Sequence, residues 1–471
     1  MKVSDPIVCA WQETLRQREN APAIRDEQGT ILRSFQQIED RAEEFFSELT
    51  GFELGAIIAI QIGNHPDWPS IALACLRRRL VIVPLDLSMN IHDRAEALEV
   101  CRAAGLIESS AAPHQTASHG LPAISTVSRQ TVRWEDHPPS LLKITSGTTA
   151  APRAIRFRSQ QLMADCIQIC DTMGIVDQDL NFGVIPISHS YGFSNLLTPL
   201  LVRGVGIALS SDRLPRAIIR NLDRSGATVF PGMPVFYQAF AEMTDIPPLP
   251  KLRLCISAGV PLSAKVAEQF REKFRLSVHS FYGSSECGGI CYDRDANTFE
   301  EGLVGEPMNG VQLDKIDADA NTGRIRVRSA AVGDGYFPEA DANKLGNGMF
   351  IPDDLLTVSS TGWKIVGRVS DLINVAGKKV NPAEVEAELL AVPGVRQAIV
   401  FGRRSSVRHQ EVAACVVATS ELSENDLLKA CRRRLSGWQV PKRIFMLEQL
   451  PVNERGKISR RDLEARFAEG T

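Results

Sequence analysis

The sequence predicts an α/β protein with a large N-terminal region of layered α/β subdomains, a β-rich subdomain closing it, and a small α+β domain at the C-terminal end. Three observations lead there. Short β-branched runs alternate with helical patterns from Ala56 to Phe274, the signature of α/β layers with mainly parallel strands. From Gly302 the texture changes to short strands with turns. After Arg368 a compact module of about one hundred residues follows, a size that suits an independent domain.

In chain order, Ala56 to Ile62 and Leu80 to Leu85 read as strands around the helical segment Pro69 to Arg79. The stretch Glu108 to Ser140 is rich in Ser, Ala, His and Pro and is expected to connect subdomains with little regular structure. Gln160 to Met173 carries a helical pattern in which Leu162, Met163, Cys166, Ile167, Ile169 and Cys170 take part, so both cysteines are expected in the core. Phe182 to Ile187, Gly204 to Leu209, Ala227 to Phe230 and Leu252 to Ser257 read as strands, with Arg213 to Ser225 and Ser263 to Phe274 as helices between them. Gly323 to Ser329 is a strand of the β-rich part. In the last module Ala383 to Leu390 and Ser423 to Leu435 read as helices, and Gln397 to Gly402 and Val412 to Ala418 as strands. No internal repeat is evident. The boundary is placed after Arg368, giving domains 1–368 and 369–471.

The chain has 471 residues, room for about two to four domain-sized units with large cores. Charged residues make up 23% and apolar ones 44%, the range of a soluble globular protein, and the net charge of −3 gives no reason to expect nucleic acid as a partner. Met1 to Pro6 lacks a basic stretch with a following apolar core, and the apolar run Leu196 to Leu209 is broken by Pro199 and Arg203. Neither a signal peptide nor a membrane span is therefore expected. Ten scattered cysteines fit a reduced, cytoplasmic protein better than a disulfide scaffold. Cys287 and Cys291 lack the second pair that a zinc site needs.

The richest chemistry lies in Thr145-Ser146-Gly147-Thr148-Thr149-Ala150-Ala151-Pro152-Arg153, directly after the apolar run Leu141 to Ile144. Hydroxyls and backbone amides donate to phosphate oxygens, Gly147 permits close backbone approach, and Arg153 offsets negative charge. It is not a Walker loop, since no Gly-Lys-Ser or Gly-Lys-Thr follows. Downstream come Tyr282-Gly283-Ser284-Ser285-Glu286, then Gly367-Arg368-Val369-Ser370-Asp371, then Pro451-Val452-Asn453-Glu454-Arg455-Gly456-Lys457-Ile458-Ser459-Arg460.

In that order and at those separations, the four segments resemble the adenylate-forming (AMP-binding) superfamily of acyl-CoA synthetases, peptide-synthetase adenylation domains and beetle luciferases, from about Leu54–Pro84 to Leu463. The resemblance implies the adenylate-forming enzyme fold, a large AMP-binding domain over 1–368 and a mobile C-terminal domain over 369–471. It implies an acid–thiol ligase that uses ATP and Mg²⁺ to turn a small carboxylic acid into acyl-AMP, then passes the acyl group to CoA or to the phosphopantetheine of an acyl carrier protein. Lys457 matches the catalytic lysine, a flexible point charge to lie between carboxylate and α-phosphate. Glu286 is the hard oxygen ligand for magnesium, with Thr145 as companion. Tyr282 offers a ring to adenine, Gly283, Ser284 and Ser285 follow it, and Ala258 and Gly259 match the other wall. Asp354 and Arg368 match ribose contacts. His189 stands where the family places a group that gates the site or orients the acyl carboxylate. Ser370 matches the hinge. Gly377 matches a glycine that lets pantetheine pass, beside Lys378 and Lys379, which either meet CoA phosphates or form a solvated turn.

The chain departs from the pattern at Ala150 and Ala154, where glycine is usual, at Arg153 for lysine, at Ser370 for Asp or Lys, and at Asn453 for Thr. The altered phosphate loop also motivates a reading as a catalytically decayed, nucleotide-binding regulatory protein, against which the retained Lys457, Glu286, Asp354 and Arg368 argue. Tyr191, Phe193, Val229, Met233 and Val260 are the expected apolar pocket walls. The stretch His189 to Phe193 lacks the aspartate that amino-acid activators use, so a fatty-acyl or aryl acid is expected.

Overall fold

The computed structural model describes residues 5–109, 122–128, 132–145, 153–297, 300–316, 322–375, 378–405, 409–419, 421–451 and 460–467. The chain divides into two compact units. The first comprises Met1–Ile316, Arg326–Pro352 and Val358–Lys364; the second comprises Asp317–Ile325, Asp353–Thr357 and Ile365–Thr471.

In the first unit one sheet runs, in hydrogen-bonded order, through Gly335–Phe337, Arg153–Phe157, Leu141–Thr145, Val81–Pro84, Ile57–Gln61, Gly105–Glu108 and Ala123–Thr126. Its middle is parallel, and the strand Ile57–Gln61 is buried at every position, as a strand covered on both faces must be. The covering helix Trp68–Arg78 is buried along most of its length and ends on the left-handed Arg79. Ala123–Thr126 corrects one expectation. The polar segment between Glu108 and Ser140 holds a regular antiparallel edge strand on Gly105–Glu108, and its exposed positions at an edge explain why its hydropathy hides it.

A second sheet of this unit runs through Ile31–Ser34, Pro22–Arg25, Gly206–Leu209, Leu180–Gly183, Val229–Gly232, Leu254–Ala258, Val278–Ser284, Gly288–Tyr292 and Leu303–Pro307. From Pro22–Arg25 to Val278–Ser284 the neighbours are parallel. Helices Pro215–Ser225, Pro234–Glu242 and Ala264–Phe274 cover one face, and Phe182, Phe230, Tyr237, Phe240 and Phe270 fill the core between. The strand expected over Phe182 to Ile187 stops at Gly183, because the chain turns there to deliver His189. Gly192 makes that turn possible. A Cβ there would lie 2.0 Å from the Pro186 carbonyl oxygen.

In the second unit the antiparallel pair Val395–Ser405 and His409–Ala418 carries Ile373–Val375 and Lys378–Val380 on one edge and Arg443–Met446 in parallel. Helices Pro382–Leu390 and Glu424–Arg434 bury Val385, Leu389, Leu427 and Cys431 against it. Asn381 caps the first of these through Ala383 N–H at 3.2 Å and donates to the Val366 carbonyl at 2.7 Å. Among the described residues no helix is long and apolar enough to cross a membrane.

Candidate active site

Thr145 and Arg153 face each other as the last pair of an antiparallel ladder, so the sheet brings both ends of the hydroxyl-rich loop together. The Thr145 hydroxyl donates to the Arg153 carbonyl at 3.1 Å. Ser146, Gly147, Thr148 and Thr149 lie outside the described residues. The Arg153 guanidinium sits 3.8 Å from the centroid of the Tyr336 ring, a cation–π contact.

Tyr336 then reaches the second motif. Its hydroxyl donates to Glu286 Oε1 at 3.2 Å, while the Ser284 hydroxyl donates to Glu286 Oε2. A carboxylate offers about four lone-pair sites, so these two bonds orient Glu286 without exhausting it. Burial pushes the Tyr336 phenol up, which keeps it a donor. The sequence reading missed Tyr336: its only signal is an aromatic in a short strand, and it acts through antiparallel pairing with Ile155 beside Arg153.

The Glu286 turn joins the strands Val278–Ser284 and Gly288–Tyr292, with a register shift between Tyr282 and Gly283. Gly283 is held close, since a Cβ would lie 2.7 Å from the Gly288 carbonyl. Tyr282 is buried. Ser285 accepts from the Ser190 hydroxyl at 2.9 Å, tying the turn to the His189 segment. Ala258 ends the strand Leu254–Ala258 opposite Phe281, and Gly259 follows at φ +94 with open space around it.

Two buried groups of opposite charge, which the motifs do not announce, act on each other electrostatically near this turn. Asp165, on the helix Ser159–Met173 and only 3% exposed, accepts Gly289 N–H at 3.0 Å. Lys143, 5% exposed and two residues before Thr145, places its ammonium 4.7 Å from the Phe157 ring centroid and 5.8 Å from that of Phe193. Burial lowers Lys143 and raises Asp165, and each one's charge opposes the other's shift. Gly288, at φ +68, gives the carboxylate its space, because a Cβ would meet Asp165 Oδ1 at 2.0 Å. Gly288→Ala is expected to destabilise the fold by about 2 kcal/mol or more, measured by urea unfolding.

His189 caps the short helix Ser190–Gly192, and its Nε2 lies 2.6 Å from Asp86 Oδ2. Of the expected pocket walls, Tyr191 packs its ring 5.8 Å from Phe281 and keeps a buried hydroxyl without a hydrogen-bond partner. Phe193 and Val229 are buried, and Met233 and Val260 are exposed.

Asp354 and Arg368 belong to the second unit, where Arg368 Nε donates to Asp354 Oδ1 at 2.9 Å. Ser370 lies in the turn Val369–Asp371 and donates to Asp371 at 3.4 Å. Arg460 binds Asp371 at 2.7 Å, Glu386 at 2.8 Å and the Val400 carbonyl at 2.9 Å. Lys457 and Gly377 lie outside the described residues.

The sequence matches the AMP-binding enzyme family over residues 11–337 and the AMP-binding enzyme C-terminal domain over residues 384–457. A feruloyl-CoA synthase of Amycolatopsis sp is 27% identical over 483 residues, covering 96% of this chain and 97% of that protein. A 2-succinylbenzoate–CoA ligase of Bacillus cereus is 30% identical over 331 residues, 68% of each chain. The crystal structure of ATP-bound MatB from Rhodopseudomonas palustris superposes with a TM-score of 0.83 at 21% identity, over 98% of this chain and 99% of that one. The o-succinylbenzoate CoA synthetase of Bacillus subtilis in complex with its acyl-adenylate intermediate gives a TM-score of 0.81 at 22% identity, over 97% of both chains. At these identities the structural likeness speaks for the fold.

Proposed function

Since the chain belongs to the AMP-binding enzyme family, the adenylate-forming superfamily of AMP-forming acid–thiol ligases, we propose that it activates a fatty-acyl or aryl carboxylic acid to acyl-AMP and transfers the acyl group to CoA. The observation that carries this reading is the chain of contacts Arg153–Tyr336–Glu286–Ser284, which joins one end of the hydroxyl-rich loop to a preoriented carboxylate.

A carboxylate is a poor acyl donor because its oxygen is a bad leaving group; joined to AMP, it leaves readily. Protein groups therefore have to hold two anions together and offset the charge at a crowded phosphorus, which is a matter of positioning and electrostatics. Thr145 and residues 146–149 donate to the phosphates, and Arg153 adds positive charge at the loop's end. Glu286 and Thr145 would hold magnesium, whose chemistry when bound is to neutralise the triphosphate; hard oxygens with free lone pairs fit that ion. Tyr282, Gly283, Ser284, Ser285, Ala258 and Gly259 frame the adenine, Asp354 and Arg368 meet the ribose, and Lys457 offsets the charge of the attacking carboxylate. His189 orients that carboxylate, Tyr191, Phe193, Val229, Met233 and Val260 line the acyl pocket, Ser370 is the hinge between the two half-reactions, and Gly377 clears the pantetheine path.

The test is carboxylate-dependent ATP–pyrophosphate exchange over fatty, aryl and amino acids, followed by thioester formation with CoA. Exchange with one fatty or aryl class, and thioester with free CoA, is the expected result. ATP binding with no exchange for any acid points to the regulatory reading instead, and transfer only to a carrier protein changes the acceptor. Tyr336→Phe removes one of the bonds that orient Glu286, and it is expected to raise the magnesium concentration for half-maximal exchange about tenfold. An unaltered magnesium dependence would count against the assignment of Glu286.

A further inference from the structure

Asp86 stands two residues beyond the strand Val81–Pro84, at the end of one sheet, whereas His189 is delivered by the turn that follows Leu180–Gly183 in the other. The carboxylate is held at both oxygens. Oδ2 lies 2.6 Å from His189 Nε2, and Oδ1 accepts Ser88 N–H at 2.7 Å and the Ser88 hydroxyl at 2.5 Å. Gln61 Nε2 fixes the Asp86 carbonyl at 2.8 Å.

The histidine's backbone is equally constrained. Its N–H donates to the Pro186 carbonyl at 3.0 Å, its carbonyl accepts Phe193 N–H at 2.8 Å, and the adjacent Ser190 hydroxyl donates to Ser285 at 2.9 Å. Yet the imidazole is 55% exposed, so the edge not taken by Asp86 is open to a reactant. A carboxylate on one ring nitrogen fixes the tautomer as Nε2–H and leaves Nδ1 with a lone pair, the arrangement of a general base with an orienting acid.

We propose that Asp86 and His189 act as a pair in the thioester-forming half of the reaction, a step that rests on the function proposed above. His189 Nδ1 accepts the proton of the acceptor thiol as the sulfur attacks the acyl-AMP carbonyl. The C–S bond forms, the C–O bond to the phosphate breaks, and its electron pair leaves with AMP. The proton stays on the imidazolium, whose charge Asp86 offsets. His189 is the catalytic group and Asp86 a positioning residue.

The electrostatic setting agrees with this division. Burial by itself would raise the Asp86 carboxyl, but the bonds from His189 and Ser88 outweigh it and hold the group well below the usual carboxylate range, so it is an anion at neutral pH. Arg213 faces the pair as a further charge: its guanidinium donates to the Val184 carbonyl, burial lowers it, and the charge of Asp86 opposes that shift.

The experiment uses the full chain and measures the two half-reactions separately: pyrophosphate exchange, and CoA thiolysis of chemically prepared acyl-AMPs of the same fatty and aryl acids. Asp86→Asn is expected to slow thiolysis at least tenfold more than exchange. Asp86→Glu is expected to recover most of the thiolysis rate, which a purely structural role would not require. Equal losses in both half-reactions, or no recovery in Asp86→Glu, overturn the proposal. A wild-type chain that supports no exchange with any acid yet thiolyses supplied acyl-AMP with the predicted Asp86 dependence would retain the dyad while overturning the acid-activating reading.

Discussion

Lys457→Ala is expected to lower carboxylate-dependent pyrophosphate exchange by about 100- to 1,000-fold, the range for removing one preorganised charge-stabilising donor from a site. The expectation rests on what an ammonium does between two anions: the substrate carboxylate and the α-phosphate repel until a cation lies between them, and that benefit is largest as the new bond forms. Arg460 shows why the loss should be local. It is anchored by Asp371, Glu386 and the Val400 carbonyl inside the second unit, so the helix Arg460–Arg466 keeps its seat when Lys457 is truncated. Unchanged thermal unfolding with lost exchange is the expected pairing. Lys457→Arg is expected to restore little, because a planar guanidinium does not occupy the position of a compact ammonium. Full exchange in Lys457→Ala would remove this lysine from the adenylation step.

The largest effect on stability is expected at Lys143. Truncating it to methionine leaves the buried Asp165 without the charge that opposes its shift, and stability in urea unfolding is expected to fall. The double variant Lys143→Met with Asp165→Asn removes both charges and is expected to regain most of that loss in urea unfolding. The pH dependence supplies an independent sign. Asp165 is raised in the folded chain by burial, so its contribution to stability is complete below the ordinary carboxylate range and is lost as pH rises through the raised value. Lys143 is lowered by burial, so its contribution is present above the ordinary lysine range and is lost as pH falls through the lowered value. Without Lys143 to oppose it, Asp165 rises further. Lys143→Met is therefore expected to unfold at lower urea at pH 8 than at pH 5, by a wider margin than the wild type, and the double variant is expected to flatten that difference. A single variant as stable as wild type at both pH values would show that the two charges do not depend on each other.

Much of the architecture was legible before any coordinates. The strands and helices around Ile57–Gln61, Gly206–Leu209, Leu254–Ala258 and Ala264–Phe274 agree with the sequence reading to within a residue or two at most ends, because burial writes its periodicity into the local pattern. Cys166 and Cys170 are buried on their helix as expected. Where burial is slight the pattern fades, and the edge strand Ala123–Thr126 reads as irregular chain in the sequence.

By itself the sequence determined which chemical groups are present and in what order: the hydroxyl-rich loop, the Tyr282 to Glu286 turn, the Asp354 and Arg368 charges and the Lys457 segment. Residue type and spacing are local properties, and they suffice to place the chain in the AMP-binding enzyme family with its two-part organisation. The tertiary structure decided which groups serve those motifs. Tyr336 meets Glu286 across 50 positions, Asp86 meets His189 from a different sheet, and Asp165 takes Gly289 N–H across 124 positions. Such partners depend on strand register and on which helix covers which face, and a shift of one residue in a strand sends every side chain to the opposite side. No local pattern carries that information.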